Sequence, residues 1–302
     1  MSLIRACGRL TAALGAAAAL GACAGGEPGP PVTTAPAPVA DAIPATISKP
    51  DGPGPFPAVV ILHDCSGLGP RSSGAPGRWA RELVSRGYLV MLPDSFTPRG
   101  VPDGVCVNPP PRGVDVSPDR RARDAYAALA QLRQRPDVDG RRVGVMGGSH
   151  GGSSTLATLH AAGDDARGAR DGFAAGVALY PRCAAFTGAF GVYRPRAPLL
   201  ILIGESDDWT PAAPCRALAE RAEKAGYPVA IKLYPGAHHS FDSPNPVRYV
   251  ATRINPSAAS GRGATTGGNP EAWADSIRQV NAFFGRHLAV VPSRAQETPR
   301  RP

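Results

Sequence analysis

The chain contains 302 residues, of which 43% are hydrophobic, and its formal net charge is +9. This length is enough to bury a sizeable core, and it admits either two small domains or one large α/β unit. The positive charge comes almost wholly from arginine scattered along the chain without interleaved aromatic residues, which argues against nucleic acid as a partner.

The amino terminus has the composition of an export signal. Two arginines precede an apolar, alanine-rich run at 10–20, which is too short for an ordinary membrane span. The segment LGAC at 20–23 resembles the bacterial lipobox, which implies that residues 1–22 are a signal peptide and that Cys23 becomes lipidated. A plain secretory signal, cut near the same place, is the alternative.

The next segment, residues 23–44, consists mainly of Gly, Pro, Ala and Thr. It has almost no large apolar side chains, so we expect a tether between the lipid anchor and a domain at 45–288. This organisation predicts a lipid-anchored protein of the cell envelope, on the periplasmic or outer-surface side. Residues 289–302 are rich in Pro and Arg and are expected to be a disordered tail.

Within the expected domain, apolar runs of strand length alternate with amphipathic segments of helix length. The expected strands are 56–63, 88–92, 143–146, 173–180, 198–203 and 229–234, and the expected helices are 76–86, 118–135, 153–162, 212–225 and 270–287. Unbroken apolar runs such as FPAVVILH are typical of strands buried on both faces of a parallel sheet. The alternation predicts an α/β fold with a mostly parallel, doubly wound sheet and helices on both faces.

Two longer connections carry no predicted element. The Pro-rich loop 94–118 is expected to cover another part of the molecule, because loops of this length in a compact domain are uncommon. The segment 242–268 is polar and rich in Gly, Ser and Pro, and we expect a surface loop there.

Four cysteines fall within the expected domain: Cys65, Cys106, Cys183 and Cys215. An even number in an exported domain predicts two disulfides, and four cysteines allow three pairings. Each cysteine is expected to follow a strand, so neighbouring strand ends would bring partners together. We favour the pairs Cys65–Cys106 and Cys183–Cys215, and free buried thiols are the alternative.

The segment RVGVMGGSHGG at 142–152 reads as a strand, a sharp turn and a helix. Within it, residues 147–151 form a G-x-S-x-G pattern centred on Ser149. A serine raised on such a strained turn is exposed for nucleophilic attack, and glycines fit where its neighbours must pack without a Cβ. Glycine-rich turns also join strands to helices in nucleotide-binding proteins, so the pattern gains weight only from an acid and a histidine downstream.

Both partners follow later strands. Asp207 comes just after an apolar run and is expected to orient a histidine; Asp208 is a rival, and a helix cap is a further interpretation. The pair His238 and His239 follows the next strand, and one of them is expected to take the proton of the Ser149 hydroxyl.

Negative charge on an attacked carbonyl would need donors near the serine. The template for this turn supplies them from the backbone N–H groups of Cys65 and His150. No metal and no cofactor are expected, because the cysteines lack the spacing of a closed zinc site and the histidines fit catalysis better.

Four segments together resemble the dienelactone hydrolase family of the α/β-hydrolases: LHDCSG at 62–67, GGSHGG at 147–152, GESDDWTP at 204–211 and HSFD at 239–242. The likeness spans about residues 45–288 and implies the α/β-hydrolase fold. It also implies a triad of Ser149, Asp207 and His239, because the family's histidine directly precedes Ser-Phe. His238 is then the bystander.

The chain departs from the best-known members at three positions. Ser149 replaces their cysteine nucleophile, so activation falls to His239 rather than to a ready thiolate. Asp64 stands where they carry a glutamate, and Ser243 where they carry an arginine for the substrate carboxylate. Arg99 lies near their other anion-binding arginine. Asp64 and Arg99 are therefore the candidates for substrate binding, and the case for an anionic dienelactone is weakened.

These observations predict a lipid-anchored serine hydrolase that cleaves a small-molecule carboxylic ester or lactone through an acyl-enzyme. A peptidase or an acyl transferase on the same fold is one alternative, since the same triad serves each of them. A non-catalytic binding lipoprotein is the other.

Overall fold

The computed structural model describes residues 43–160, 172–187 and 191–289. The strands are β1 (Ala45–Ser48), β2 (Phe56–Leu62), β3 (Leu89–Pro93), β4 (Val138–Gly148), β5 (Ala175–Leu179), β6 (Leu199–Gly204), β7 (Val229–Tyr234), β8 (Arg248–Ile254) and β9 (Arg262–Thr266). The helices are α1 (Ala75–Ser85), α2 (Pro118–Arg133), α3 (His150–Leu159), α4 (Ala212–Lys224) and α5 (Pro270–His287), with short 3₁₀ turns at Thr97–Arg99 and Cys183–Phe186.

Seven strands form one sheet in the order β1-β3-β2-β4-β5-β6-β7. Every neighbouring pair is parallel except β1 with β3. The central strands are buried along nearly their whole length, as their unbroken apolar sequences require. The prediction of a mostly parallel sheet is confirmed, and the predicted strands and helices agree with the observed ones within three residues, except that β4 begins five residues before the predicted strand. Strand β1 escaped prediction because it is a four-residue, largely exposed edge strand.

Helices cover both faces of this sheet, as predicted. Gly176 pairs with Val145, and a Cβ on Gly176 would meet the side chain of Leu159 in α3. The neighbouring residue Gly144 faces the opposite way, and a Cβ there would meet Phe284 in α5. Because side chains alternate between the faces along a strand, α3 and α5 lie on opposite sides of the sheet.

The segment 242–268 is not a plain surface loop, and that prediction was wrong. It contains β8 and β9, which pair as an antiparallel hairpin outside the main sheet. The hairpin escaped prediction because β8 (RYVATRI) buries no residue fully and therefore lacks an apolar stripe. Its backbone joins the rest of the domain where the Ile254 N–H donates to the Cys106 carbonyl at 2.9 Å.

The two predicted disulfides are present, Cys65–Cys106 and Cys183–Cys215. The expectation that each cysteine follows a strand is correct for only two of the four. Cys65 follows β2 and Cys183 follows β5, but Cys106 lies in the loop before α2 and Cys215 lies inside α4. Each bond therefore ties a strand end to a neighbouring loop or helix rather than joining two strand ends.

Several predictions concern residues outside the described ranges. The signal peptide at 1–22, the lipidated Cys23 and most of the tether and tail lie there. Within the described residues, no helix combines the length and the apolar character needed to cross a membrane.

Replacing both Cys183 and Cys215 by serine is expected to lower the free energy of unfolding by about 3 to 4 kcal/mol, because the bond closes a loop of 32 residues. Urea unfolding followed by circular dichroism measures this. The unmodified protein treated with reductant serves as the comparison. An unchanged midpoint and slope in the double variant would show that this bond does not constrain the unfolded chain.

Candidate active site

Ser149 occupies the sharp turn between β4 and α3. Its backbone has φ 55° and ψ −116°, a combination that a residue with a side chain rarely adopts. The turn packs so tightly that a Cβ on Gly151 would lie 1.9 Å from the Leu62 carbonyl oxygen. Glycine is therefore required beside the serine, and the serine side chain is held at the carboxyl edge of the sheet.

The structure brings Ser149, His239 and Asp207 together in one hydrogen-bonded row. His239 Nε2 lies 2.9 Å from the Ser149 Oγ, and His239 Nδ1 lies 2.8 Å from Asp207 Oδ2. All three residues are buried, with 8%, 0% and 4% of the residue surface exposed respectively. They follow β4, β7 and β6, three strands whose carboxyl ends share one edge of the parallel sheet.

The Asp207 carboxylate is fixed by its own loop. Its Oδ1 accepts the backbone N–H groups of Trp209 and Thr210 at 2.9 and 2.8 Å, and the Thr210 hydroxyl lies 2.9 Å from Oδ2. A carboxylate only accepts, so the proton between it and His239 belongs to Nδ1. In the neutral imidazole, Nε2 is then the acceptor that faces the serine hydroxyl.

Asp208 and His238, the sequence alternatives to Asp207 and His239, bind other groups. The Asp208 carboxylate accepts the Thr265 N–H and hydroxyl, each at 2.8 Å, and so anchors β9. His238 Nδ1 lies 2.9 Å from the Ser206 carbonyl oxygen. Neither side chain contacts Ser149.

Two aromatic rings enclose the His239 imidazole. The ring centroids of Trp209 and Tyr180 lie 4.6 and 4.8 Å from that of His239.

Tyr180 has a φ of 37°, and its hydroxyl donates to Asp242 Oδ1 at 2.9 Å. Trp79 Nε1 donates to the other carboxylate oxygen of Asp242 at 2.8 Å. Burial raises the pKa of Asp242 although both of these donors oppose the shift.

The sequence analysis did not identify the contacts of Tyr180 and Asp242. Asp242 is the last residue of the quoted HSFD segment, but no role was assigned to it. Tyr180 ends β5 with no motif around it, so no signal in the sequence marked it.

The backbone N–H groups of Cys65 and His150 are the two candidate oxyanion donors. His150 is the first residue of α3, and Cys65 follows β2; both line the same cavity as Ser149. Across the residues that the structure describes, neither backbone N–H has a protein acceptor within hydrogen-bond distance. The Cys65 peptide is held by its disulfide to Cys106 and by the Val105 N–H, which donates to its carbonyl at 2.7 Å.

Two cavities meet at Ser149. The first has a volume of about 280 Å³ and a mostly apolar wall that includes Val105, Pro118, Ala185, Trp209, Ile254 and Pro256. The second has a volume of about 240 Å³ and a polar wall that includes Asp64, Ser66, Ser73, Arg78, Arg248 and Arg253. His239 lines the second cavity. The hairpin β8–β9, which the sequence did not reveal, contributes walls to both.

The two substrate-binding candidates differ in placement. Asp64 lines the polar cavity and accepts the Ser66 N–H at 2.7 Å and the Ser73 hydroxyl. Arg99 lines neither cavity: its guanidinium forms two hydrogen bonds of 2.7 Å with the Asp124 carboxylate. The structure therefore gives no support to Arg99 as a substrate-binding residue, because Asp124 already holds its charged group.

One group of potential metal ligands occurs within the described part of the chain, formed by Asp64, Cys65 and Cys106. The two sulfurs are bonded to each other, so neither is available as a thiolate. This group therefore offers a metal ion one carboxylate.

Residues 43–288 match the family model described as "Dienelactone hydrolase family". The chain is similar to a "Putative carboxymethylenebutenolidase" of Methylorubrum extorquens, with 28% identity over 66% of this chain and 68% of that protein. It is also similar to a "Putative carboxymethylenebutenolidase" of Yersinia pestis, with 26% identity over 67% of this chain and 75% of that protein.

Solved structures share the fold. A "Putative Dienelactone Hydrolase" from Klebsiella pneumoniae aligns with a TM-score of 0.58 at 20% identity, covering 81% of this chain and 93% of that one. Thermogutta terrifontis esterase 2, phosphorylated by paraoxon, aligns with a TM-score of 0.56 at 18% identity, covering 82% and 90%. The predicted α/β-hydrolase fold is confirmed. The chain belongs to the dienelactone hydrolase family, and it is a carboxylic ester or lactone hydrolase.

Proposed function

We propose that this hydrolase works through an acyl-enzyme formed on Ser149. The observation that carries the proposal is the hydrogen-bonded row of Ser149, His239 and Asp207, with donor and acceptor atoms 2.9 and 2.8 Å apart. A serine hydroxyl is a weak nucleophile, and an adjacent base that is itself oriented by a third group activates it. The locked Asp207 carboxylate supplies that orientation.

The reaction follows from this geometry in two halves. Ser149 Oγ attacks the substrate carbonyl while its proton passes to His239 Nε2, and the imidazolium is stabilised by Asp207. The tetrahedral intermediate collapses as His239 returns the proton to the leaving alkoxide, which leaves an ester on Ser149. A water molecule, deprotonated by His239, then attacks this ester and releases the acid and the free serine. A lactone gives the same acyl-enzyme, with the alcohol still attached to the acyl group.

The free N–H groups of Cys65 and His150 are the proposed donors to the intermediate's oxyanion. Both belong to residues that line the cavity beside Ser149, and His150 begins a helix whose amino end favours negative charge. Loss of one such donor typically costs about 3 kcal/mol of transition-state stabilisation.

The position of His239 orients the substrate. The leaving oxygen must lie near His239 Nε2 to receive its proton, and His239 lines the polar cavity. We therefore assign the leaving group to the polar cavity and the acyl group to the apolar one. Since the apolar cavity measures about 280 Å³, the proposed substrates are esters or lactones with a compact, apolar acyl portion. The names of the two relatives favour lactones among them.

We also propose that the protein is exported and lipid-anchored at Cys23. The apolar run at 10–20 and the LGAC segment support this. The two disulfides of the domain support it independently, because such bonds persist in oxidising compartments.

The nucleophile is tested by Ser149→Ala, which is expected to lower kcat for a p-nitrophenyl ester by about 10⁶-fold, since no other group replaces the attacking oxygen. Covalent labelling by a fluorophosphonate should be lost as well. The control is Ser276→Ala, a buried serine of α5 whose hydroxyl bonds to the Trp273 carbonyl of its own helix. Labelling that survives in Ser149→Ala would assign the nucleophile elsewhere.

The acid is tested by comparing two adjacent aspartates. Asp207→Asn should lower kcat by about 10⁴-fold, because an amide N–H donor facing Nδ1 favours the wrong tautomer. Asp208→Ala should mainly raise KM, because it loosens the anchor of β9 on Thr265 without touching His239. Steady-state kinetics on the same ester separate the two. The reverse pattern would assign the orienting role to Asp208.

Acyl length is tested with a panel of p-nitrophenyl esters. The value of kcat/KM should rise by up to about fourfold per added methylene while the chain fills the apolar cavity, and fall once the chain outgrows it. Ile254→Ala enlarges that wall and should move the optimum to longer chains. An optimum that stays in place in Ile254→Ala would contradict the assignment of the acyl group to this cavity.

A further inference from the structure

Arg121, in α2, is fully buried yet lacks a carboxylate partner. Its Nη2 donates to the His63 carbonyl at 2.7 Å, and its Nη1 donates to His150 Nδ1 at 2.7 Å. Its guanidinium lies 5.1 Å from the centroid of the Phe96 ring. Within the described ranges Arg121 forms no salt bridge, although the charges of Asp124 and Asp64 act on it from farther away and favour its charged form. A buried charge held by neutral acceptors is costly, so its retention calls for a reason.

The two acceptors belong to the two segments that flank Ser149. His63 follows β2 and lies two residues before Cys65, and His150 directly follows Ser149. A guanidinium is planar and presents its donors in a rigid fork, so one side chain fixes the spacing between both partners. The proposed oxyanion donors, the N–H groups of Cys65 and His150, lie on these same two segments.

The contact also fixes the state of the His150 ring. A guanidinium only donates, so His150 Nδ1 accepts and the ring proton is on Nε2. Burial, followed by the charge of Arg121, lowers the pKa of His150 to about 3. The ring is therefore neutral and adds no charge that would oppose Arg121.

The His63 segment is held in a similar way. His63 Nδ1 lies 2.8 Å from the Asp64 carbonyl oxygen, and the Ser95 N–H donates to His63 Nε2 at 3.3 Å. Burial, followed by the charge of Arg121, lowers the pKa of His63 well below its usual value. Arg121 is thus the charged centre between two neutral, immobilised rings.

We propose that Arg121 is a positioning residue that holds the two backbone segments of the oxyanion hole at a fixed separation. It lines neither cavity and makes no contact with Ser149, so it acts through His63 and His150. Its buried charge also favours the negative charge that develops on the substrate oxygen, because electrostatic interactions are strong where water is excluded. This inference rests on the proposed function.

The test replaces Arg121 by lysine and by methionine. Lysine keeps the positive charge but cannot donate to His63 and His150 at the same time. Methionine removes the charge and both hydrogen bonds. We expect kcat to fall by about 10-fold in Arg121→Lys and by about 100-fold in Arg121→Met, with KM changed by less than about threefold. The rate of fluorophosphonate labelling should fall in parallel, because that reaction also develops charge on the oxygen held by these amides.

The matched control is Arg142→Lys. Arg142 is a largely buried arginine near the start of β4, at the opposite end of that strand from Ser149, and its guanidinium bonds to Asp139. This variant should keep kcat within about twofold while its thermal stability drops. If Arg121→Lys and Arg121→Met fold and keep the wild-type kcat, the inference is overturned. If the wild type neither turns over esters nor reacts with the fluorophosphonate, the proposed function itself fails.

A measurement on the unmodified protein covers the case in which the Arg121 variants do not fold. Nitrogen NMR of histidine-labelled protein should show His150 with an unprotonated Nδ1 and no titration between about pH 5 and pH 9. The signal is assigned by its absence in His150→Gln. A proton on Nδ1, or a titration near the usual histidine pKa of about 6.5, would overturn the inference.

Discussion

The strained turn at Ser149 is the constraint on which the rest of the structure depends. A positive φ at a residue with a side chain costs about 1 to 3 kcal/mol and persists only where the surroundings enforce it. Here β4 lies between β2 and β5, and the Ser149 N–H donates to the Leu179 carbonyl of β5 at 2.9 Å. Gly151 lets the turn pack directly against the Leu62 carbonyl. The Ser149 hydroxyl therefore lies next to the loops after β6 and β7, which carry Asp207 and His239.

Around this turn, polar side chains are buried and held by specific partners. Asp207 accepts two backbone N–H groups, Asp242 accepts from Tyr180 and Trp79, and Arg121 donates to His63 and His150. In a low-dielectric interior such contacts are stronger than in water, and an unpaired group is costly. The site is thereby ordered before any substrate arrives, which is the condition for electrostatic stabilisation of a transition state.

The cavity walls come from elements outside the central sheet. The β8–β9 hairpin is attached to the loop after β6 through the Asp208 carboxylate, and through the Trp209 Nε1, which donates to the Ile254 carbonyl at 2.8 Å. The loop before α2 is attached through the Cys65–Cys106 bond. The sheet positions Ser149, His239 and Asp207, whereas the hairpin and the loop define the space around them. Substrate preference can therefore change in this fold without disturbing the row of Ser149, His239 and Asp207.

The sequence by itself determined the fold class, the order of six sheet strands and five helices, and the candidates Ser149 and Asp207, while the family resemblance chose His239 over His238. These depend on local signals: apolar runs, glycines at a sharp turn, and residues just after strands. Only the tertiary structure decided that Asp208 anchors a hairpin, that Arg99 binds Asp124, that Tyr180 binds Asp242, and that Arg121 joins His63 to His150. These hydrogen bonds join residues that are 25 to 62 positions apart in the chain. The direction of each side chain decides which residue it binds, and the local sequence does not encode that direction.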